Sequence, residues 1–304
     1  MSVPRVWIGP EPNEAIAAAA ERGGGSVTSR LDEADSVVWL SWTRAAEMSD
    51  VLHDGIRWVQ LPSAGIDRWV EEGLLDDRRT WTGAQGAYAD EVADHVVAFI
   101  LAAARDLPQA AKRKTWRRGE GRRFTGATVG IVGAGGIGKA TIERLKPFGA
   151  RVLALTRSGR EVPGAERSLG FERLDELLEE SDYVVLAAPL TEETRGLIGP
   201  RELDLIGPRG WLVNVARGAI VKTDALVEAL RDGRLGGACL DVTDPEPLPD
   251  GHPLWDLENV LITPHVANPP ELEIELLAPR VEENVRRLAE GRELEGLVDV
   301  GRGY

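Results

Sequence analysis

Three charged side chains in the second half of the sequence are of types that can organise a proton transfer. His265 follows an apolar run in Ile-Thr-Pro-His265-Val-Ala, and Arg217 follows another in Asn-Val-Ala-Arg217-Gly. Histidine donates protons near neutral pH, and an arginine side chain can hold a carboxylate by two parallel hydrogen bonds. Glu246 stands between two prolines and could orient an imidazole and favour its protonated form. A solvated loop arginine and an exposed loop acid remain the alternative interpretations of Arg217 and Glu246.

His265 is one of four histidines in the sequence. It lies just beyond the carboxyl end of a predicted strand, which is where ligands of parallel sheets collect. The other three have structural interpretations: His95 is a packed residue of an apolar helix, His252 a turn residue and His53 part of a surface helix. Position in the sequence therefore favours His265 as the proton donor.

A glycine-rich loop follows the strand predicted at 128–132 and opens a predicted helix. In Gly133-Ala-Gly135-Gly-Ile-Gly138, the first glycine permits a tight turn and the second lets the backbone approach a pyrophosphate. The third allows close packing of the helix on the strand, while the helix N-terminus supplies N–H donors. In this context the motif predicts a dinucleotide-binding loop rather than an ordinary glycine-rich turn.

The end of the next strand bears on the choice between the two nicotinamide cofactors. An acidic residue about 20 positions beyond the glycines binds the ribose 2′-hydroxyl of NAD. Here that region reads Thr-Arg157-Ser158-Gly-Arg160 and contains no acid. Arg157 and the Ser158 hydroxyl could bind a 2′-phosphate instead, with support from Arg160. The sequence thus favours NADP(H) and leaves NAD(H) as the second choice, an exposed loop arginine being the structural alternative.

Short apolar runs alternate with helical patterns along the chain, which is typical of an α/β fold with a largely parallel sheet. Strands are predicted at 3–8, 36–40, 58–61, 128–132, 151–155, 183–187, 211–215, 238–242 and 260–263. Helices are predicted at 11–22, 90–106, 136–147, 174–180, 223–232 and 272–290, with a short one near 253–257. Pro108 is expected to end the helix at 90–106. The glycine loop places a nucleotide-binding domain in the middle of the chain.

The composition excludes several classes of protein. The 304 residues carry 36 basic and 50 acidic side chains, a net charge of −14 that disfavours nucleic-acid binding. No apolar run approaches the roughly 20 residues of a membrane helix, and no secretion signal is visible, so a cytoplasmic protein without membrane contact is expected. The single cysteine, Cys239, excludes an internal disulfide and a cysteine-rich zinc site, and no metal site is predicted. One basic segment, 112–123, contains Trp116 and is interpreted as an exposed connection or dimer arm.

Several motifs together resemble the D-2-hydroxyacid dehydrogenase family. Besides the glycine loop, they are Pro189-Leu-Thr-Glu-Glu-Thr194, Asn214-Val-Ala-Arg217-Gly, Leu240-Asp241-Val, Asp244-Pro-Glu246-Pro, His252-Pro-Leu-Trp255 and Thr263-Pro-His265. Weaker matches at 63–67 and 92–95 extend the resemblance over nearly the whole chain. Within the family the sequence is most similar to short NADPH-dependent glyoxylate/hydroxypyruvate reductases, through 156–158, 163–164 and 298–304. Asp94 and Asn268 depart from the residues that the family commonly has there.

The resemblance implies a role for each matching residue. Arg217, Glu246 and His265 match the catalytic arginine, acid and histidine of the family. The remaining matches concern the cofactor: Gly136, Ile137 and Gly138 at the pyrophosphate, Pro189 and Thr194 at the adenine, Val215 and Ala216 beside the nicotinamide, and Asp241 at its carboxamide. Ala64 and Gly65 match the loop whose backbone N–H groups hold the substrate carboxylate, together with Arg217.

The resemblance also implies an architecture and an activity. It predicts a doubly wound Rossmann domain at 95–270, inserted into a smaller flavodoxin-like α/β substrate domain made of 1–94 and 271–304, in a homodimer. The expected reaction transfers a hydride from NADPH to a small 2-oxoacid, such as glyoxylate or hydroxypyruvate, and yields the D-2-hydroxyacid. A dehydrogenase for a bulkier 2-oxoacid and a dinucleotide-sensing binding protein on the same fold are the alternatives.

Overall fold

Two parallel β-sheets organise residues 3–301, the part of the chain that the computed structural model describes. One compact unit contains residues 3–88 and 269–301, and the other contains Ala89–Asn268. Arg302, Gly303 and Tyr304, which end the C-terminal motif of the sequence, lie outside the described residues. The division into a substrate domain and a dinucleotide domain at 94/95 and 270/271 stays a prediction.

The smaller unit is built on a five-stranded sheet. Its elements are β1 (Arg5–Gly9), α1 (Glu14–Arg22), β2 (Ser26–Val27), β3 (Ser36–Trp39), β4 (Trp58–Gln60), α2 (Asp67–Glu71), β5 (Thr80–Thr82) and α9 (Glu273–Glu290). The strand order is β2-β1-β3-β4-β5, and every pairing is parallel. This is the order of flavodoxin-like sheets. Four buried indoles fill much of the core, those of Trp39, Trp58, Trp69 and Trp81.

The larger unit is built on a seven-stranded parallel sheet. Its strands are β6 (Thr128–Val132), β7 (Arg151–Leu155), β8 (Arg167–Leu169), β9 (Tyr183–Leu186), β10 (Trp211–Asn214), β11 (Gly237–Leu240) and β12 (Val260–Ile262). Their order is β12-β11-β10-β9-β6-β7-β8. Successive strands are therefore added in one direction from β6 to β8 and in the opposite direction from β9 to β12. Such a switch point, here between β6 and β9, opens a ligand crevice at the carboxyl ends of the strands. The predicted α/β fold class, with a Rossmann-type sheet and a smaller flavodoxin-like sheet, is confirmed.

Six helices accompany the larger sheet. They are α3 (Ala89–Ala104), α4 (Leu107–Lys112), α5 (Gly136–Leu145), α6 (Leu174–Glu180), α7 (Pro200–Ile206) and α8 (Thr223–Arg231). Helix α3 buries Val92, Val96, Phe99 and Ala103, which recur at helical spacing, and packs against α5, β10 and β11. This packing brings residues near the start of α3 close to the carboxyl end of the sheet.

Several predicted elements need correction. The helix at 90–106 ends at Ala104, because Asp106 adopts a left-handed conformation with φ of +56°. Pro108 does not end that helix but lies in the first turn of α4, where its missing N–H costs no helical hydrogen bond. His53 lies outside any helix, and its ring contacts the Leu31 carbonyl oxygen at 2.9 Å. The predicted short helix near 253–257 is a single 3₁₀ turn, Pro253–Trp255.

Candidate active site

The residues predicted to act in the larger unit lie at the carboxyl ends of its parallel strands. Gly133 directly follows β6, Arg157 follows β7 by two residues, and Pro189 follows β9 by three. On the same side of the switch point as β9, Arg217 follows β10 by three residues and Asp241 directly follows β11. His265 lies three residues beyond β12, the edge strand next to β11. The topology thus places these residues at one end of the sheet.

The glycine loop has the geometry that a dinucleotide requires. Gly133 has φ of +100°, and a Cβ there would lie 2.6 Å from the backbone nitrogen of Ala188. A Cβ on Gly138 would collide with the carbonyl oxygen of Gly133, so only glycine lets α5 lie this close to the loop. A Cβ on Gly135 would instead meet no atom within 4 Å. That open space, beside the N-terminus of the ten-residue helix α5, fits a pyrophosphate.

The loop residues Pro189 and Thr194 lie together in the structure. The Thr194 hydroxyl donates a hydrogen bond to the Pro189 carbonyl oxygen at 2.7 Å and accepts one from the Thr191 backbone at 2.8 Å. Across from this loop, the Arg157 guanidinium lies 3.5 Å from the Glu193 carboxylate, and both side chains are exposed. Ser158 and Arg160 are exposed as well. Arg157 is therefore accessible to a ligand, with an acidic neighbour that would compete with a 2′-phosphate.

His265 and Glu246 form a close pair. The Nδ1 atom of His265 lies 2.7 Å from Oε1 of Glu246. Because an ionised carboxylate can only accept, Nδ1 carries the proton in this pair, which leaves Nε2 as the ring atom that can exchange a proton with a substrate. His265 also has φ of +55°, a left-handed conformation that costs a residue other than glycine about 1 kcal/mol. The surrounding hydrogen bonds must hold this conformation.

The Glu246 carboxyl is tuned by opposing effects. Partial burial acts to raise its pKa, but the hydrogen bond and charge of His265 act in the other direction. The Thr243 backbone N–H, at 3.4 Å from Oε2, and the positive charge of Arg217 lower it further. The net result is a Glu246 pKa below its ordinary value, so the carboxylate is ionised at neutral pH and can stabilise an imidazolium.

Arg217 is positioned by a turn that its neighbours enforce. The Asn214 side chain donates to the Arg217 carbonyl oxygen at 2.9 Å and accepts from the Ala216 backbone at 3.1 Å. Gly218 allows a close approach, because a Cβ there would collide with the backbone of Thr243. The loops that carry Arg217 and Glu246 are therefore in contact. Asn214 is a positioning residue that sequence reasoning did not single out, although it directly precedes the Val-Ala-Arg motif.

The other predicted site residues have varied surroundings. Val215 and Ala216 are largely buried beside β10. The Asp241 side chain is also buried, and its oxygens accept hydrogen bonds from the segment 263–267. Ala64 and Gly65 belong to the smaller unit, in a loop where the Ser63 hydroxyl donates to the Gly65 carbonyl oxygen at 2.6 Å. Their predicted roles in binding cofactor and substrate stay predictions.

Within residues 3–301, no group of three or more His, Cys, Asp or Glu side chains is arranged to hold a metal ion. No helix of the described chain has both the length and the apolar character needed to cross a membrane.

The strand order and the glycine loop together define a Rossmann-type dinucleotide-binding domain. The chain belongs to the D-isomer specific 2-hydroxyacid dehydrogenase family: residues 97–267 match the NAD-binding domain of that family. The family relationship agrees with the resemblance that the sequence motifs indicated.

Relatives of known name or structure extend this finding. A glyoxylate reductase from Thermococcus gammatolerans is 40% identical over 199 residues, which cover 62% of this chain and 59% of that enzyme. A D-isomer specific 2-hydroxyacid dehydrogenase from Xanthobacter autotrophicus, crystallised with NADPH and MES, is 30% identical, with a TM-score of 0.87 and full coverage of both chains. An NADPH-dependent glyoxylate/hydroxypyruvate reductase from Sinorhizobium meliloti, crystallised with NADP and sulfate, is 26% identical, with a TM-score of 0.83. That comparison covers 99% of this chain and 100% of the other.

Proposed function

We propose that this protein reduces a small 2-oxoacid of the glyoxylate or hydroxypyruvate type to the D-2-hydroxyacid, with NADPH as the preferred cofactor. The observation that carries the proposal is the 2.7 Å pair of His265 and Glu246 at the carboxyl end of a dinucleotide-type sheet. Relatives named as glyoxylate and glyoxylate/hydroxypyruvate reductases support the substrate class.

Three side chains divide the chemistry between them. A reduced nicotinamide cofactor, when bound, supplies the hydride that reduces the carbonyl carbon. His265 donates the proton on Nε2 to the carbonyl oxygen, and Glu246 accepts the Nδ1–H bond and stabilises the imidazolium before transfer. Arg217 binds the substrate carboxylate through its guanidinium N–H groups.

The cofactor preference rests on the end of strand β7. No acid occupies the position about 20 residues beyond the glycines, where NAD-specific sites place one for the ribose 2′-hydroxyl. Arg157 is exposed there, and Ser158 adds a hydroxyl. A guanidinium favours a 2′-phosphate by charge and by hydrogen-bond geometry. Structures of relatives with NADPH and NADP support the same preference.

A substrate panel tests the proposal. Glyoxylate, hydroxypyruvate, pyruvate and bulkier 2-oxoacids are offered with NADPH and with NADH, and the product is analysed on a chiral column. We expect the highest kcat/KM for glyoxylate or hydroxypyruvate with NADPH, and a D-configured product from hydroxypyruvate. Absence of turnover with every 2-oxoacid, despite NADPH binding, would instead indicate a dinucleotide-sensing protein.

Two variants test the assigned roles. His265→Ala is expected to lower kcat by about 10²-fold or more with little change in KM, because proton donation acts only in the transition state. Arg217→Ala is expected to raise KM for the 2-oxoacid and to lower kcat as well, since the guanidinium binds and orients the substrate. The exposed Arg231→Ala is the matched control. An unchanged kcat in His265→Ala would contradict the mechanism.

We further propose a homodimer in which the basic segment 112–123 takes part. Three of its cations bind within the same unit: Lys112 to the carbonyl oxygens of Leu257 and Val260, Arg113 to Asp106, and Arg122 to the Arg209 carbonyl oxygen. Trp116, by contrast, is fully exposed at 105% of its reference area. A basic segment with an exposed indole is complementary to a second copy of a chain whose net charge is −14.

The oligomeric state tests this second proposal. Analytical ultracentrifugation of the wild-type protein should give a dimer, and Trp116→Ala should shift the equilibrium towards the monomer. Trp42→Ala, which removes a half-exposed indole of the smaller unit, serves as the control. A Trp116→Ala protein that dimerises as tightly as the wild type would contradict the role of the segment.

A further inference from the structure

His95, on helix α3, is connected to the segment that carries His265. Its Nε2 atom lies 3.1 Å from the hydroxyl of Thr263, a residue 168 positions further along the chain. The ring packs edge-on against Phe99 at a centroid distance of 4.3 Å, and only 21% of the side chain is exposed. His95 is therefore more than the packed core residue that the sequence indicated, because its polar edge has a specific partner.

The direction of the hydrogen bonds in this connection follows from the donors available. The Thr263 hydroxyl donates to Oδ1 of Asp241 at 2.6 Å. A hydroxyl has a single proton and an ionised carboxylate has none, so that proton is already committed. His95 must then be the donor to Thr263, and its ring carries a hydrogen on Nε2. The chain of hydrogen bonds runs from His95 through Thr263 to Asp241.

Asp241 binds the backbone of His265 and of the two residues that follow it. Its Oδ1 also accepts from the Val266 N–H at 2.9 Å, and its Oδ2 accepts from the Ala267 N–H at 3.0 Å. The backbone carbonyl oxygen of Asp241 accepts from the His265 N–H at 2.8 Å. The Asp241 side chain is only 1% exposed, so these contacts are made away from water and are not weakened by competing solvent.

The segment held in this way includes a backbone conformation that does not form readily. His265 has φ of +55°, in the left-handed region, where a side chain is disfavoured unless its surroundings compensate. In this conformation the His265 ring lies 2.7 Å from Glu246. Three hydrogen bonds between Asp241 and residues 265–267 offset the cost of this backbone conformation. Thr263 and His95 in turn hold the Asp241 carboxylate in place.

We propose that His95 and Thr263 are positioning residues that act through Asp241 to hold His265 in place for proton donation. This inference rests on the proposed function, in which His265 is the acid. None of the three needs to touch the substrate. What they control is the orientation of the imidazole relative to Glu246, and a displacement of a catalytic group by 1 Å can cost about 10²-fold in rate.

The role of His95 does not depend on a change in its protonation. Burial lowers the pKa of the His95 imidazole, while the nearby Asp241 carboxylate, at 3.8 Å, acts to raise it. The lowering effect is the larger, so the ring is neutral at neutral pH. Both the neutral Nε2–H form and the imidazolium donate from Nε2, and the connection to Thr263 is kept in either state.

Kinetics of conservative and disruptive variants test the proposal. Thr263→Val removes only the hydroxyl, whereas His95→Leu removes the donor together with the ring that packs against Phe99. Each is expected to lower kcat about tenfold while the KM values for 2-oxoacid and NADPH change less than about threefold. Thr263→Ser and His95→Gln keep a donor at each position and should recover most of kcat. His53→Leu is the control, because His53 is another partly buried histidine whose ring makes hydrogen bonds.

The split between kcat and KM separates positioning from a merely structural role. When His265 is displaced from Glu246, proton donation slows while the binding of 2-oxoacid and NADPH is kept, so kcat should fall in Thr263→Val and His95→Leu at nearly constant KM and return in the variants that keep a donor. A lower melting temperature with wild-type kcat would overturn the inference. So would a weaker NADPH affinity at constant kcat, which would indicate that Asp241 serves the cofactor alone. If His265→Ala itself retains kcat, the proposed function has failed, and that result is independent of these variants.

Discussion

The imidazole of His265 and the carboxylate of Glu246, nineteen residues apart in the chain, meet at 2.7 Å. The contact joins the loop after β11 to the segment after β12, and it determines which ring nitrogen is left to act on a substrate. A proton donor with an ionised partner is the arrangement that a ketone reductase needs, because the imidazolium must form before it can transfer its proton to the carbonyl oxygen.

Replacing Glu246 by Gln should leave the imidazole without a charged partner. We expect kcat for 2-oxoacid reduction to fall about 10- to 100-fold, because the imidazolium loses the carboxylate that stabilises it. Steady-state kinetics at pH 7 would measure the effect. Glu258→Gln, a change at an exposed acid in the same unit, is the control and should behave like the wild type. A Glu246→Gln protein with wild-type kcat would contradict the pairing.

Glu246 should also make folding stability depend on pH in a defined direction. Its pKa is lowered in the folded protein, so its contribution is fully present above the ordinary glutamate range and is lost as the pH falls through the folded value. We expect wild type to exceed Glu246→Gln in urea stability at pH 7. The difference should shrink once the pH falls below 4.5, the ordinary value of the group. A difference that grows towards acid pH would contradict this sign.

Two glycines of the loop should respond differently to the same added methyl group. At Gly135 a Cβ enters open space, so Gly135→Ala should fold normally but weaken NADPH binding about tenfold by occupying the pyrophosphate site. At Gly138 a Cβ collides with the Gly133 carbonyl oxygen, so Gly138→Ala should cost about 1–3 kcal/mol of stability. Thermal unfolding and cofactor titration measure the two effects. Equal loss of stability in both variants would be evidence against this division of roles.

The Arg157–Glu193 ion pair should influence the cofactor preference. Arg157→Ala should lower kcat/KM for NADPH about 10- to 100-fold and leave that for NADH nearly unchanged, because only NADPH has a 2′-phosphate. Glu193→Gln removes the competing carboxylate at 3.5 Å and should raise kcat/KM for NADPH about two- to fivefold. Glu192→Gln, at the exposed acid next to it, is the control. Equal use of NADPH and NADH by the wild type would refute the preference itself.

Local sequence patterns predicted most of the elements that position the site. Strands β6, β7, β9, β10 and β12 each lie within a run that the sequence marks as a strand, and β11 overlaps the run predicted at 238–242 but begins one residue earlier. Strands β2, β5 and β8 are short and partly polar, with the sequences Ser-Val, Thr-Trp-Thr and Arg-Ser-Leu, so no apolar run marks them. The sequence does not predict helix α4, because Pro108, which lies in the first turn of α4, is interpreted there as the end of the preceding helix.

The basic segment shows how the environment of a charge depends on the fold. In sequence, residues 112–123 form one run of similar cations. In the structure Lys112 binds backbone carbonyl oxygens near β12, and Arg113 pairs with Asp106. The run itself does not show which of its side chains bind within the unit and which, like that of Trp116, are exposed. This difference arises because the binding partners, although distant in sequence, come close when the chain folds.

By itself the sequence determined the dinucleotide loop, the α/β class and the candidate residues Arg217, Glu246 and His265. These depend on local rules, namely the periodicity of burial along an element and the need for glycine at a tight turn. Only the tertiary structure decided that His95 meets Thr263 across 168 residues and that Asp241 holds the backbone around His265. Hydrogen bonds of this kind depend on where α3, β11 and β12 lie in space, and no spacing within a single element encodes that.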